Sequence, residues 1–336
     1  MIIKEKYQIQ LPELDKYRRE FISTGVKLPL PTVPFYQTGL LRELPPPPPE
    51  KTGWPWTVET PPAIYNMRPN GQPYPKISVI TPSYNQGQFI EETIRSVLLQ
   101  NYPNLEFIVI DGGSDDQTKE ILEKYSSWLS FWQSERDRGQ GHAINLCFSL
   151  ANGDYYGWIN SDDFYLPSCF YKVSNAFLLS NKDFVYGDAL EMNQITGAIN
   201  YWQGYFILDR HLTIGGIIAS HSAFWKATIH APIWEKINCA IDYELWLRMI
   251  SGKSKHHLKH PLGVCRIQEN SKSYSDLYKE KWTEDYKKIF HAYKISKLKL
   301  KWSNYESGIL HKIYKFLNRI DIEKTRIESY FTDRIK

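Results

Sequence analysis

Between Lys76 and Asp163, short runs of β-branched and aromatic residues alternate with helical patterns. No other feature of the chain narrows its fold as far. Ile77 to Thr81 reads as a strand stopped by Pro82, and Phe89, Ile90, Ile94, Val97 and Leu98 follow at helical spacing. Leu105 to Ile110 is a second strand, followed by the turn Asp111 to Ser114 and a helix carrying Ile121, Leu122 and Tyr125. Ser130 to Gln133 is a third strand. A helix from Ala143 to Leu150 closes at Asn152-Gly153, and a strand runs from Tyr155 to Asn160. Such alternation builds a Rossmann-like, mostly parallel α/β sheet with helices on both faces.

In such sheets ligands bind beyond the carboxyl ends of the strands. Thr81, Asp111 and Asp162 stand at three of those ends, which points to one shared site. The most telling end is Trp158-Ile-Asn-Ser-Asp-Asp163, an apolar strand running into two adjacent carboxylates. Hard divalent cations take carboxylate oxygens, and Mg²⁺ is usually held by one or two of them together with substrate phosphates. A divalent metal (Mn²⁺ or Mg²⁺) and a diphosphate-bearing substrate are therefore expected. The turn from Thr81 to Gly87 holds a single glycine, so a G-x-G-x-x-G cradle is excluded, and no Walker A loop occurs. Nucleotide contacts should come from side chains and a metal.

Hydrophobic residues make up 42% and charged residues 23% of the 336, a globular balance. The net charge of +4 offers no nucleic-acid footprint. It is unevenly spread: Leu277 to Lys336 holds 15 Lys+Arg against 8 Asp+Glu. Cys147, Cys169, Cys239 and Cys265 are scattered without a C-x-x-C, the usage of reduced thiols in a cytoplasmic protein. Met1 to Lys6 has no apolar core of signal-peptide length, and no run reaches the ~18 apolar residues of a spanning helix. His256, His257 and His260 have no matching carboxylate and are not expected to bind metal.

Residues 1–75 read as a proline-rich extension, with a run from Pro45 to Pro49 that favours a stiff polyproline II spacer. Trp54 and Trp56 are candidates to anchor it along the domain. Beyond Asp163 the texture is α+β, with strands at Phe184 to Gly187, Ala198 to Trp202 and His256 to Ile267, and a helix from Asp242 to Ile250. Residues 274–336 form an amphipathic, basic, helical tail. Trp282, Tyr286, Ile289, Phe290 and Tyr293 share one face, and Ile309, Ile313, Tyr314, Leu317 and Ile320 repeat the pattern. Such a face either packs on the domain or lies at an anionic membrane surface.

Lys76-Ile-Ser-Val-Ile-Thr-Pro-Ser-Tyr-Asn-Gln-Gly87 resembles the opening of the family 2 glycosyltransferases of the GT-A fold. Ile110-Asp-Gly-Gly-Ser-Asp-Asp116, Ser134 to Asn145, Gly157 to Asp163 and Asp242 to Arg248 resemble the motifs that follow in that family, in order. The resemblance spans residues 76–273, divided into a nucleotide half (76–163) and an acceptor half (164–273). It implies roles for particular residues. Thr81, Tyr84, Asp111, Asp137 and Gly139 would line the nucleotide pocket, Asp111 accepting a hydrogen bond from the base. The family often has a second Asp where this chain has Gly112. Asp162 and Asp163 would carry the D-x-D role, one toward the ribose and one toward the metal. Asn160 replaces the usual first Asp, which leaves the metal ligand open between them. Asp242 aligns with the general base, preceded by Ile241 where many members have Glu. His221 would sit near the acceptor, and Arg266, Ser271 and Lys272 on a mobile loop over the diphosphate. Gln268 occupies a place where relatives often show His.

The implied activity is an inverting, metal-dependent transfer of a sugar from a nucleotide-diphospho-sugar to an acceptor hydroxyl. UDP is the first choice of nucleotide, with dTDP and GDP behind it. The acceptor would be a carbohydrate or lipid-linked molecule of polysaccharide or glycolipid biosynthesis, met in the cytoplasm or by peripheral contact at the inner membrane face through residues 277–336. Two other readings compete. A nucleotidyltransferase would show a basic phosphate loop, which Thr81 to Gly87 lacks. A non-catalytic nucleotide- or sugar-binding relative would not need both the Asp162/Asp163 pair and Asp242.

Overall fold

A computed structural model describes residues 7–66, 71–269 and 271–318. Among the described residues the helices are α1 (Leu14–Ser23), α2 (Ile90–Leu98), α3 (Thr118–Tyr125), α4 (Gln140–Leu150), α5 (Cys169–Ser180), α6 (Ile241–Met249), α7 (Lys279–Ala292) and α8 (Lys297–Asn318). The strands are β1 (Ile77–Ser83), β2 (Leu105–Asp111), β3 (Phe131–Ser134), β4 (Tyr155–Trp158), β5 (Phe164–Tyr165), β6 (Phe184–Asn193), β7 (Ile199–Trp202), β8 (Ala223–Lys226) and β9 (Lys255–Ile267). They form one sheet in the order β3-β2-β1-β4-β8-β6-β9-β5, with β7 paired to β6.

The sheet from β1 to β4 is parallel throughout: β1 pairs β2 and β4, and β2 pairs β3, all in parallel. Beyond β4 it is mixed. β8 runs antiparallel to β4 and β6, whereas β6 and β9 are parallel with a register shift at Asp188. Every residue of β1 and β2 is buried, which suits strands covered on both faces. Alternation along them sorts the core. Ile77, Val79, Phe107 and Val109 pack with Ile90, Ile94 and Val97 of α2; Ile80, Ile108 and Ile110 pack with Ile144, Cys147 and Phe148 of α4. Each buried aliphatic side chain contributes about 1.5–3 kcal/mol over leaving it in water.

The N-terminal extension lies against this body. Trp54 is buried and its Nε1 donates to the Tyr165 carbonyl at 2.8 Å. Trp56 is buried beside Arg95, whose guanidinium sits 5.6 Å from its ring. Tyr17 and Phe21 of α1 are buried against the opposite face. Sequence periodicity singles out neither α1, α5 nor β8, and β6 continues six residues past Gly187 because β9 and the β7 hairpin pair its far end.

The tail divides. In α7, Ile289 is fully buried and Trp282, Tyr286, Phe290 and Tyr293 pack on the core, so this face belongs to the domain. In α8, Tyr314 turns inward while Ile309 and Ile313 are exposed. Ile320 and the side chain of Leu317 lie outside the described residues. No described helix is long and apolar enough to cross a membrane. All four cysteines are free, and His257 is spent on Asp188, Nε2 to Oδ1 at 2.9 Å.

Candidate active site

β1 delivers two hydroxyls to its carboxyl end. Thr81 Oγ1 and Ser83 Oγ are buried with no hydrogen-bond partner. Buried polar atoms are nearly always paired, so these two hydroxyls are available to a ligand at this strand end. Ser83 carried no expectation, because a serine after Thr-Pro looks like ordinary turn chemistry. Tyr84, next in line, is 61% exposed.

Asp111 ends β2 and is fully buried. Its carboxylate accepts from the Ser114 amide (2.8 Å), the Ser114 hydroxyl (2.5 Å) and the Ser134 hydroxyl (2.7 Å). The group thereby braces the turn between β2 and β3. Beside it, Gly112 leaves a gap that Asp137 fills. A Cβ at Gly112 would lie 3.2 Å from Asp137 Oδ2. Asp137 is half-buried, and its Oδ1 accepts from the Gly139 amide at 2.6 Å. Burial, and the nearby charge of Asp111, raise its carboxyl above the usual range. Gly139 starts α4 with φ +112°, a conformation glycine adopts freely, and faces open space.

Past β4 the chain turns through the acidic pair, organised by Asn160. Asn160 Oδ1 accepts from Trp158 Nε1 (3.0 Å) and Gln140 Nε2 (2.9 Å), and its Nδ2 donates to Asp163 Oδ2 at 3.3 Å. Asp163 points inward, 4% exposed, with Oδ1 accepting from the Arg266 amide at 3.1 Å. His221 Nδ1 lies 3.9 Å from Asp163 Oδ2. Burial and the neighbouring Asp162 push the Asp163 carboxyl well up, and burial lowers His221 to about 4, so this histidine is neutral. Asp162 is less enclosed. Gln268 Nε2 donates to its Oδ2 at 2.9 Å, and no described residue donates to its Oδ1. Burial raises it too, opposed by Gln268 and Arg266.

Arg266 is not on a mobile loop. It lies in β9, 4% exposed, paired with Glu92 at 2.6 Å and hydrogen-bonded to the Asp162 carbonyl. Its guanidinium stands 5.2 Å from the Phe89 ring centre and 4.7 Å from that of Phe164. The β6–β9 pairing extends through Ile267, which draws Arg266 into the sheet to hold the acidic turn. Ser271 is tied to the Gln268 carbonyl at 2.9 Å. Lys272 does reach the cluster, donating to Gln140 Oε1 (2.7 Å) and the Asn238 carbonyl (3.1 Å). Burial lowers its ammonium pKa.

Asp242 lies in the first turn of α6. Its charge acts on Tyr286, whose ring lies tilted against Trp282 at 5.8 Å, and Trp282 Nε1 donates to the Lys272 carbonyl at 2.7 Å. Its own carboxylate accepts a single hydrogen bond, from the Tyr243 amide at 2.8 Å. Burial raises it to about 6.

These residues fit a divalent cation in one way only. No described group of three or more His, Cys, Asp or Glu could cage a metal. A half-open carboxylate oxygen at Asp162 suits a cation whose remaining ligands come from phosphate and water.

The model of the family described as "Glycosyl transferase family 2" matches residues 78–229. An uncharacterized glycosyltransferase of Rickettsia prowazekii is 34% identical over 234 residues, 64% of this chain and 73% of that protein. The chain belongs to the family 2 glycosyltransferases. A UDP-Glc:α-D-GlcNAc-diphosphoundecaprenol β-1,3-glucosyltransferase of Escherichia coli is 32% identical over 184 residues, 53% of this glycosyltransferase and 71% of that one. The match spans less than two thirds of other relatives, 65% of a Rickettsia typhi protein and 31% of a Rickettsia felis protein. The fold resembles that of S. aureus TarS in complex with UDP-GlcNAc, with a TM-score of 0.54 over 74% of this chain and 77% of that one at 18% identity. The architecture is thus GT-A.

Proposed function

We propose that this family member transfers a sugar from a UDP-sugar to the hydroxyl of a carbohydrate or lipid-linked acceptor, with inversion, in polysaccharide or glycolipid assembly. The observation that carries the reading is the pair of carboxylates with opposite characters. Asp162 keeps one oxygen open at the end of β4, and Asp242, held up at about 6 by burial, keeps a nearly bare carboxylate in the first turn of α6. The first suits a diphosphate-bound cation and the second suits a general base, whose best pKa lies near the working pH. UDP is favoured among nucleotides because the E. coli relative's name specifies UDP-Glc and the S. aureus TarS structure holds UDP-GlcNAc. The same E. coli name specifies a diphosphoundecaprenol-linked sugar, which supports a lipid-linked acceptor here.

In this reading the orphaned hydroxyls of Thr81 and Ser83, with the Tyr84 ring, line the nucleoside. Asp111 and Asp137 border the base, and Asp137 Oδ2, in the space left by Gly112, accepts the uracil N3–H. Asp162 would hold Mn²⁺ or Mg²⁺ together with the donor's phosphates, and the cation would supply positive charge to the leaving diphosphate. Lys272 adds a cation on the same side. Asp163 and Arg266 fix the turn that aims Asp162. The Asp242 carboxylate takes the acceptor proton as the acceptor oxygen bonds the anomeric carbon, and the bond from that carbon to the diphosphate breaks, releasing UDP. Base catalysis of this kind is typically worth ~10²–10⁴-fold.

Calorimetric titration of UDP, GDP and dTDP, each with and without Mn²⁺, tests the donor side. Metal-dependent UDP binding that Asp162→Ala abolishes is the expected result. Undiminished, metal-independent binding in that variant would overturn the assignment of Asp162. A retained anomeric configuration in the product would overturn inversion.

A further inference from the structure

α8 is amphipathic twice over. One face docks on the body. Ser307 Oγ meets the Tyr205 hydroxyl, Ser303 Oγ lies 3.4 Å from Thr213 Oγ1, His311 stacks on Tyr205 at 5.1 Å, and the Tyr314 hydroxyl lies 3.1 Å from His257 Nδ1. The opposite face is apolar and open to water: Leu298 is 79% exposed, Trp302 65%, Tyr305 66%, Ile309 41% and Ile313 49%. Their spacing of four, three, four and four residues keeps all five within an arc of about 80°. A soluble helix normally buries its one apolar face and leaves the other polar. Here the face already buried is the more polar of the two.

Charge says what the open face meets. Lys297, Lys299, Lys301 and Lys312 are all exposed beside the stripe. From Lys294 to Tyr314 there are five lysines and one acid, and that acid, Glu306, is paired with Arg210 on the body. A second copy of the helix would set lysines against lysines with no carboxylate to match them. An anionic bilayer supplies the missing charge, and Trp and Tyr suit the level where headgroups meet acyl chains. We infer that α8 lies in the plane of an anionic lipid surface, with Leu298, Trp302, Tyr305, Ile309 and Ile313 in the acyl boundary and the lysines on the headgroups. The side that does so is not the α7 face. This locates the transferase of the proposed reading at a membrane, but it rests on the exposed stripe alone.

Co-sedimentation of the full chain with vesicles of phosphatidylcholine, alone or mixed with phosphatidylglycerol, tests it. Binding to the anionic vesicles, weakened by salt, is expected. Trp302→Glu with Ile309→Glu should reduce it at least tenfold, and reversing Lys299, Lys301 and Lys312 to Glu should reduce it about 100-fold. Both variants should keep the wild-type circular dichroism spectrum and UDP affinity, since neither touches the site. Absent binding, or equal binding to neutral and anionic vesicles, would overturn the inference. So would wild-type dimers by analytical ultracentrifugation that the Trp302→Glu/Ile309→Glu variant turns to monomers, which would assign the stripe to a second copy. Loss of the nucleotide reading would leave the vesicle result standing, and the reverse holds too.

Discussion

Burial holds the Asp242 carboxyl at about 6, against an ordinary value of 3.8, and the backbone amides of Tyr243 and of Asp242 itself work the other way. A raised carboxyl pKa costs stability when the group ionises: its contribution is fully present below about 4 and is lost as pH rises through about 6. Asp242→Asn should therefore be inactive yet more stable than wild type at neutral pH. The gain is up to about 3 kcal/mol at ~1.4 kcal/mol per pKa unit, shrinking as pH falls toward 4. Urea unfolding across pH checks this, and kcat/KM of the wild type should fall on the acid side with a midpoint near 6. At Asp137 space is decisive. Asp137→Asn should weaken UDP binding by about 10–100-fold, as expected for loss of a hydrogen bond to a charged group. Gly112→Asp should clash with Asp137, whose Oδ2 lies 3.2 Å from the new Cβ, and Asp137→Gly on that background should restore binding. A failure of the second change to rescue the first would remove Asp137 from the base contact.

At the scale of elements, the site depends on a helix outside the family match. The loop before α6 donates three amides, from Asn238 (2.8 Å), Cys239 (2.7 Å) and Ala240 (3.2 Å), to one oxygen of Asp285 in α7. Asp285 is fully buried, so Asp285→Ala strands three amides. It should cost about 2–4 kcal/mol in urea unfolding and lower kcat well before it changes UDP affinity, because α6 carries Asp242 and the nucleotide side is untouched. Equal loss of both would mean general unfolding. This dependence also explains what sequence could and could not reveal. β1, β2, β4 and α2 to α4 were legible because a parallel sheet needs continuous apolar strands between amphipathic helices, and residues 76–163 have little else. Arg266 was misplaced because its motif borders a polar loop in sequence, while the register of β6 on β9, a long-range fact, draws it inside. Asp111 shows a related point: a turn brace and a ligand contact use the same residue type, and the hydroxyls of Ser114 and Ser134 that hold its carboxylate come from separate segments of sequence.

Over the whole molecule, the N-terminal extension is bound to the catalytic body by one buried cation. Arg95 of α2 is fully buried, and its guanidinium donates to the carbonyls of Pro45 (2.8 Å), Pro55 (3.0 Å) and Trp56 (2.9 Å) and to the Tyr125 hydroxyl (2.9 Å). Proline-rich backbone lacks amides to pair with itself, so its carbonyls need an outside donor, and a single arginine can supply several in one plane. Glu59 adds a second tie, accepting from Asn101 Nδ2 at 2.8 Å and from the Leu41 amide at 2.9 Å. Arg95→Met keeps much of the side-chain length but leaves three carbonyls without that donor. It should destabilise the protein by about 3 kcal/mol or more, and the loss should fall first on the extension. Trypsin is the readout. The wild type should resist cleavage after Arg42 and Lys51, and the variant should be cut there while the sheet from Ile77 onward stays intact. Cleavage spread evenly along the chain would instead mean that extension and body unfold as one unit, and that Arg95 holds the core as a whole.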